Sequence, residues 1–246
     1  MNERMGVSSG NGRRRHGGSR RRAAAMMLSG LASLAVACQP TGSDWIGLNL
    51  QLGHTDYAGH WESAKPTATD REIYFGLAAE VGVGHVRDLF MSWYRAEPRQ
   101  GQPYDFTFSD AMAQQAGQAN LDLLGLCWMV PAWAAEGASP AGWSFGVPRR
   151  DQVDAFVRFV TAFVERYDMD GWHDAPRLKR PIRYYEFMHK MEDVPVADYA
   201  FWLQHFYRAV KAADPKAHIV LGGLSSPGFR MIQRPDGDYP TYFDRL

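Results

Sequence analysis

The chain has 246 residues, of which 46% are apolar and 22% charged, with 24 glycines and 14 prolines. This composition is typical of a globular protein and excludes the disordered and collagen-like classes, and two cysteines are too few for a disulfide scaffold. The formal net charge is zero, but residues 1–37 hold seven arginines and one glutamate, so the remainder is mildly acidic. An acidic chain is a poor partner for nucleic acid, and we expect none.

Residues 1–37 are predicted to be an export signal peptide. A basic, Gly/Ser-rich stretch precedes the uncharged apolar run Ala23–Ala37, which is too short to anchor stably across a bilayer. Ser19-Arg20-Arg21-Arg22 resembles a twin-arginine signal, which leaves the Sec and twin-arginine routes both open. Ala35-Val36-Ala37 has the small-x-small form of a cleavage site and Cys38 follows it. We expect either a cell-envelope lipoprotein or a periplasmic or extracellular protein. In the lipoprotein, Cys38 would be the lipidation site, and the protein would contact the membrane only through that lipid.

Residues 38–44 are predicted to be a short linker and residues 45–246 a single α/β domain. Short apolar runs alternate there with amphipathic stretches, which predicts βα units around a parallel sheet. The predicted strands are Trp45–Leu50, Val83–Arg87, Leu121–Trp128, Ile182–Met188 and His218–Leu221. An eight-unit barrel would need roughly 110 residues after the fifth strand, whereas 25 follow Leu221. We therefore expect an incomplete TIM-type (β/α) barrel of about five units.

Four helices are predicted between these strands. The first is expected to begin at a capping box, Thr69-Asp70-Arg71-Glu72, and to end at Gly82. Its predicted buried stripe consists of Ile73, Leu77, Ala78 and Val81. The second covers about Ser109–Ala119. The third has the clearest apolar stripe, from Val153 to Val164, and the fourth runs from about Val196 to Ala213.

Several short sequence motifs follow one another along the predicted domain. They are Gly47-Leu48-Asn49-Leu50, His85-Val86-Arg87-Asp88, Trp93 with Glu97-Pro98, Gly101 and Tyr104-Asp105-Phe106, Leu123–Leu126, Pro131-Ala132-Trp133-Ala134, Arg183–Met188 and Ile219–Gly223. Together they resemble the retaining glycoside hydrolases built on (β/α) barrels, the clan that includes β-galactosidases, cellulases and β-xylosidases. The resemblance covers nearly all of residues 45–246 and implies an origin in the hydrolysis of β-linked sugars.

The resemblance also implies where catalytic groups should stand. In such enzymes a carboxylic acid after the fourth strand protonates the leaving oxygen, and a carboxylate after the seventh attacks the anomeric carbon, with the two carboxyl groups about 5 Å apart. The Asn-Glu pair of the family is here His189-Lys190, and a lysine, a cation with a pKa of roughly 10.4, offers no carboxyl group. Glu186 falls earlier, within the predicted strand, and Glu192 is either a substitute acid or a solvated loop carboxylate. The nucleophile strand lies beyond the five predicted strands, so we expect no two-carboxylate hydrolysis.

Other residues are candidates for binding an oligosaccharide or polysaccharide. By the resemblance, Arg87 matches the active-site arginine at the end of the second strand, with a surface ion pair as the alternative. His54, just past the first strand, is either a sugar contact or a loop residue. The remaining candidates are His189 and three tryptophans that could be sugar platforms or core residues, namely Trp93, Trp128 and Trp133. No metal site is expected, because His54, Asp56 and His60 lack the spacing of metal ligands. No cofactor is expected either.

Three hypotheses follow from the sequence. The chain is a truncated glycoside-hydrolase-like protein that has lost its acid/base, a non-catalytic carbohydrate-binding lipoprotein, or a remnant without a stable fold. Turnover of chromogenic β-glycosides separates the first from the others, and binding without turnover favours the second. An open five-stranded parallel sheet would also expose an edge, which favours pairing with a partner.

Overall fold

The structure is a computed structural model that describes residues 47–50, 52, 67–137, 142–189 and 194–223. The sequence predictions made for Cys38, His54, Lys190 and Glu192 lie outside these residues. None of the described helices is both long and apolar enough to cross a membrane.

Five parallel strands form the main sheet, and two short strands form a separate antiparallel ribbon. In chain order the strands are β1 (Gly47–Asn49), β2 (His85–Ser92), β3 (Asp122–Trp128), β4 (Val130–Pro131), β5 (Trp143–Ser144), β6 (Tyr184–Phe187) and β7 (His218–Leu221). The main sheet has the order β1-β2-β3-β6-β7, and β4 pairs with β5. The predicted parallel sheet is confirmed, and among the described residues it is open, with β1 and β7 at its edges.

The predicted end of the second strand was wrong. β2 continues past Arg87 to Ser92, because Leu89, Met91 and Ser92 keep pairing with β3 around an irregularity between Leu89 and Met91. The carbonyl of Phe90, inside that irregularity, accepts a hydrogen bond from the Ser109 hydroxyl at 2.9 Å. Arg87 is therefore the third residue of an eight-residue strand rather than its last.

The four predicted helices are present, with small shifts at their ends, and the short helix α2 was not predicted. They are α1 (Ala68–Glu80), α2 (Trp93–Ala96), α3 (Thr107–Gln118), α4 (Val153–Tyr167, preceded by a 3₁₀ turn at Arg150–Gln152) and α5 (Val196–Ala213). The capping box of α1 is two residues earlier than predicted. Thr67 is the N-cap, its hydroxyl accepts from the Asp70 amide at 3.1 Å, and Asp70 accepts from the Thr67 amide at 2.8 Å.

The buried face predicted for α1 was correct for Ala78 and wrong for Ile73, Leu77 and Val81. Phe75 and Ala78 face the core, whereas Ile73 and Val81 are more than half exposed. The reason is the neighbouring helix: Arg71, one turn before Phe75, is buried with its Nε donating to the Gln115 side chain on α3 at 3.1 Å. That contact turns the Arg71–Phe75–Ala78 side of the helix inward.

The core lies between the sheet and helices α4 and α5. Alternate strand residues point to the two faces of the sheet, and the outer face, defined here by Val86, Tyr185 and Phe187, packs on the helices. The aromatic rings that fill this layer are Phe90, Phe156, Phe159, Phe163, Tyr167, Phe187, Trp202 and Phe206. The opposite, inner face carries Asn49, Arg87 and Glu186, and these polar side chains define the candidate site.

Candidate functional site

The centre of the inner face is a two-point ion pair between Arg87 and Glu186. Arg87 Nη2 donates to Glu186 Oε1 at 2.8 Å, and Arg87 Nε donates to Glu186 Oε2. The two residues lie on β2 and β6, so the long arginine side chain reaches across β3, which separates them in the sheet. The Glu186 side chain is 3% exposed. A buried carboxylate needs such a partner, because burial of an isolated charge is costly.

Three further groups complete this network at the carboxyl edge of the sheet. Arg87 Nη1 donates to Asn49 Oδ1 at 3.0 Å, and Arg87 Nη2 lies 3.2 Å from Nδ1 of His189. The backbone amide of Gly223 donates to Glu186 Oε1 at 3.1 Å. Four of the five strands thus contribute, either directly or through the residues that follow them, which is where ligand sites form in open parallel sheets.

In the turn after β7, the backbone at Gly222 lies close to the backbone at the end of β6. A Cβ on Gly222 would lie 2.7 Å from the carbonyl oxygens of both Phe187 and Met188, so a larger residue does not fit there. The Gly222 amide donates to the Tyr199 hydroxyl at 3.0 Å, and that hydroxyl donates to the Phe187 carbonyl at 3.3 Å. Tyr199 of α5 therefore ties the ends of β6 and β7 together and sets the position of the Gly223 amide.

An aromatic cluster flanks His189. The Trp128 ring, at the end of β3, stacks on Phe145 with centroids 4.2 Å apart, and meets the His189 ring edge-on at 5.6 Å. Phe145 in turn contacts Trp143 at 4.3 Å. The β4–β5 ribbon carries this cluster, since Trp143 pairs with Pro131 in that ribbon.

Trp93 and Trp133 are held by Glu97 rather than by the network. The Trp93 indole donates to Glu97 Oε2 and the Trp133 indole to the Glu97 carbonyl, both at 2.9 Å. The second carboxylate oxygen of Glu97 accepts from the Gly101 amide at 2.7 Å. Trp93 is 1% exposed and stacks on Phe159 of α4, so its ring serves the core and neither face is open to a sugar. Trp133 is only partly buried and keeps some exposed surface.

Two solved structures share this architecture. One is a family 39 glycoside hydrolase from Bacteroides cellulosilyticus WH2, with 15% identity over 71% of this chain and 31% of that one, at a TM-score of 0.51. The other is the endoglucanase Cel5A from Pseudomonas stutzeri, with 16% identity over 74% of this chain and 52% of that one, at a TM-score of 0.50. Comparison with protein-family models and with curated proteins gives no match.

The chain has the fold of a glycoside-hydrolase barrel. This barrel is open among the described residues, and the chain spans about a third to a half of the length of the two solved proteins. The incomplete (β/α) barrel predicted from the sequence is therefore confirmed as a fold.

Sequence reasoning missed several members of this barrel's network. Asn49 lies in a recognised phrase but was given no role, although its pairing with Arg87 in neighbouring strands puts both on one face. Glu186 was placed correctly within the strand, yet its pairing with Arg87 follows only from the sheet order. Phe145 and the Gly223 amide carried no usable signal, because each is positioned by a loop contact.

One further acidic group lies away from this network. Carboxylate oxygens of Glu165, Asp168 and Asp170 lie within 4.8 Å of one another, near the C-terminus of α4. They are at the amino edge of the sheet, since the Tyr167 carbonyl accepts from the amide of Ile182 just before β6. Burial raises the pKa of Asp168 to about 6. These are the described residues best placed to hold a cation, but they are far from the Arg87 network along the strands.

Proposed function

We propose that this chain is a glycoside-hydrolase-like protein that binds β-linked sugars at the carboxyl edge of its sheet and does not hydrolyse them. The observation that carries the proposal is the hydrogen bonding of the Glu186 carboxylate. Both of its oxygens are engaged by Arg87, and one also accepts the Gly223 amide. A carboxylate held in this way is neither a protonated acid facing a leaving oxygen nor a free nucleophile.

Retaining hydrolysis needs two carboxyl groups about 5 Å apart, one of them protonated and the other ionised. Within the described part of the chain, the network around Arg87 contains one carboxylate, and His189 stands beside it where the family pattern approaches its acid. The next position is Lys190, which has no carboxyl group. The lost chemistry is therefore proton donation to the leaving oxygen.

Sugar binding is supported by the groups that remain. Sugar rings are bound by flat aromatic faces combined with fixed polar groups, and the edge offers both. Phe145 and Trp133 are partly exposed aromatic rings, and Asn49 and His189 present polar atoms around Arg87. The related fold of an endoglucanase makes cello-oligosaccharides the first ligands to test.

The decisive experiment measures turnover and binding on the same purified 246-residue protein. We expect no release of chromophore from aryl β-glycosides above the spontaneous rate, and heat of binding with cello-oligosaccharides in calorimetry. Trp133→Ala and His189→Ala should weaken this binding, whereas Tyr207→Ala, on the exposed side of α5, is the matched control and should leave it unchanged. Turnover that Glu192→Gln abolishes would contradict the proposal, because it would identify Glu192 as a working acid.

We also propose that the protein is exported, and that Cys38 is its lipid attachment site. The support is the basic, apolar and small-residue order of residues 1–37 followed by that cysteine. Cell fractionation and the mass of the mature protein test both parts. A Cys38→Ser variant should leave the membrane fraction if the anchor exists, and an unchanged distribution would favour a freely exported protein.

A further inference from the structure

Large apolar side chains are exposed on the helix beside the edge strand β1. They follow α1 and its C-cap at a helical spacing and are each between 39% and 54% exposed, namely Ile73, Tyr74, Leu77 and Val81. We call these four residues the α1 stripe. An apolar stripe of this kind usually packs against another polypeptide surface, because contiguous apolar patches are rare on the surface of monomeric soluble proteins.

A second apolar surface lies at the opposite end of the sheet, between α5 and the edge strand β7. It is an open groove with a volume of about 550 Å³, and its lining includes Leu203, Tyr207, Lys211 and Leu221. Tyr207 is 51% exposed and Leu221 46%. We call this surface the α5–β7 groove. Each of the two surfaces therefore adjoins a strand that is at an edge of the sheet among the described residues, and such edges favour association.

The α1 stripe and the α5–β7 groove lie on the same side of the sheet. The strand order β1-β2-β3-β6-β7 advances in one direction, so right-handed crossovers place every connecting helix on one face. α1 and α5 also run in the same direction, from the carboxyl edge to the amino edge, since each connects two parallel strands. A second copy placed beyond β7 with its sheet in line would thus present its α1 parallel to α5, as neighbouring helices of one sheet lie.

The charged groups of the two surfaces are complementary in this arrangement. Glu80, the exposed last residue of α1, and Lys211, in the last turn of α5, both stand at the amino edge. Lys211 donates to the carbonyls of Pro215 and Ala217, which carry no formal charge. A second copy in line would bring its Glu80 beside Lys211. A two-fold contact of the α1 stripe with itself would instead run the helices antiparallel and bring Glu80 towards Asp70 of the partner subunit, which has the same charge.

We propose that copies of this chain associate head to tail, with the α1 stripe of one copy in the α5–β7 groove of the next. The contact is heterologous, because the two surfaces differ and every copy carries one of each. It places β7 of one copy beside β1 of the next with the same strand direction. Both exposed ends of the sheet are covered by the same contact.

Variants that disable one surface at a time test this proposal in the full-length protein. Ile73→Asp places a charge on the α1 stripe and Tyr207→Asp places one in the groove, while Trp172→Asp, at a loop residue that is 66% exposed, is the matched control. In analytical ultracentrifugation we expect the wild type and Trp172→Asp to self-associate, and Ile73→Asp and Tyr207→Asp to do so at least about tenfold more weakly. An equimolar mixture of these two variants should associate again and stop at a dimer, because it contains one intact stripe and one intact groove.

Three results would overturn the proposal. A wild type that is monomeric at every concentration would mean that the two surfaces do not join copies of the chain. Loss of association in only one of the two variants would indicate a two-fold contact of one surface with itself. A mixture of Ile73→Asp and Tyr207→Asp that remains monomeric would show that the stripe and the groove do not bind each other.

Charge reversal is a second test that leaves the apolar surfaces intact, so it does not depend on the folding of the aspartate variants. Glu80→Lys should weaken self-association, because it places a cation beside Lys211 of the partner subunit, and added salt should reduce this loss. Glu72→Lys is the matched control, since successive helical residues are rotated by about 100° and Glu72 lies to one side of the stripe. Equal self-association of the two variants would refute the head-to-tail orientation.

Discussion

Removal of the arginine from the Arg87–Glu186 pair is the most direct test of the network. In Arg87→Met the Glu186 carboxylate loses both arginine hydrogen bonds and keeps the one from the Gly223 amide. Breaking a buried ion pair by removing one partner costs about 3–5 kcal/mol. Glu186 is 3% exposed but Arg87 is 20% exposed, so water can reach part of the site. We therefore expect a loss near the lower end, about 3 kcal/mol.

The double variant separates the ion pair from its surroundings. Arg87→Met with Glu186→Gln removes both charges and leaves an amide oxygen for the Gly223 amide, so we expect a loss of about 1 kcal/mol. The interaction energy from the cycle should then be at least about 2 kcal/mol, because the cost of the single Glu186→Gln variant adds to the difference between Arg87→Met and the double variant. Arg150→Met is the matched control, because the Arg150–Asp198 pair is 59% and 36% exposed. Exposed pairs contribute at most about 1 kcal/mol.

Urea unfolding, followed by tryptophan fluorescence in the full-length protein, measures the free energies of the wild type, Arg87→Met, Glu186→Gln, the double variant and Arg150→Met. The ordering is what matters: Arg87→Met should be much less stable than Arg150→Met, and the double variant should recover most of the difference. If Arg87→Met costs no more than Arg150→Met, then Glu186 is not a buried charge that depends on its partner, and the proposed reason for lost hydrolysis fails.

Three other predictions concern stability and reactivity. Burial raises the pKa of Asp168 from 3.8 to about 6, so the folded state favours the protonated carboxyl group and loses this stabilisation as the pH rises between these values. Asp168→Asn should therefore raise the unfolding free energy by up to about 3 kcal/mol near pH 7.5 and leave it unchanged near pH 3.5. A gain in stability that does not depend on pH would contradict this. Gly222→Ala should lower the melting temperature by an amount equivalent to about 1–3 kcal/mol, because its Cβ would clash with two carbonyl oxygens, whereas Gly76→Ala, with nothing within 4 Å, should raise stability by up to about 1 kcal/mol. Burial raises the pKa of the Cys127 thiol, so in a Cys38→Ser background a thiol reagent should label it no faster than the protein unfolds, and rapid labelling of the native protein would refute its burial.

The elements with strong local signals could be predicted from the sequence. The bounds of α5 and β7 agree with the prediction at both ends, because the apolar spacing of α5 and the short β-branched run of β7 each admit one interpretation. The parallel sheet followed from the alternation of such elements. Local pattern therefore determined which segments form strands and helices.

Features that depend on contacts between elements could not be predicted. The stripe predicted for α1 included Ala78, which is buried, but also Ile73 and Val81, which are exposed, and it missed Phe75. The contact of Arg71 with α3 selects the face that is buried. The end of β2 was missed for a similar reason. Pairing with β3 carries the strand beyond Arg87, and no local signal reports how long a neighbouring strand is.

The family-like passage around Trp93 has a structural role that does not depend on activity. Glu97 joins the Trp93 indole, the Trp133 indole and the Gly101 amide, so three of the recognised residue types are retained by one hydrogen-bonded cluster in the core. That cluster stabilises the loop after β2 whether or not a sugar is cleaved. A phrase can therefore persist because the fold needs it. Chemistry has to be argued instead from the carboxylates, and the one in the described network, Glu186, is fully engaged by Arg87.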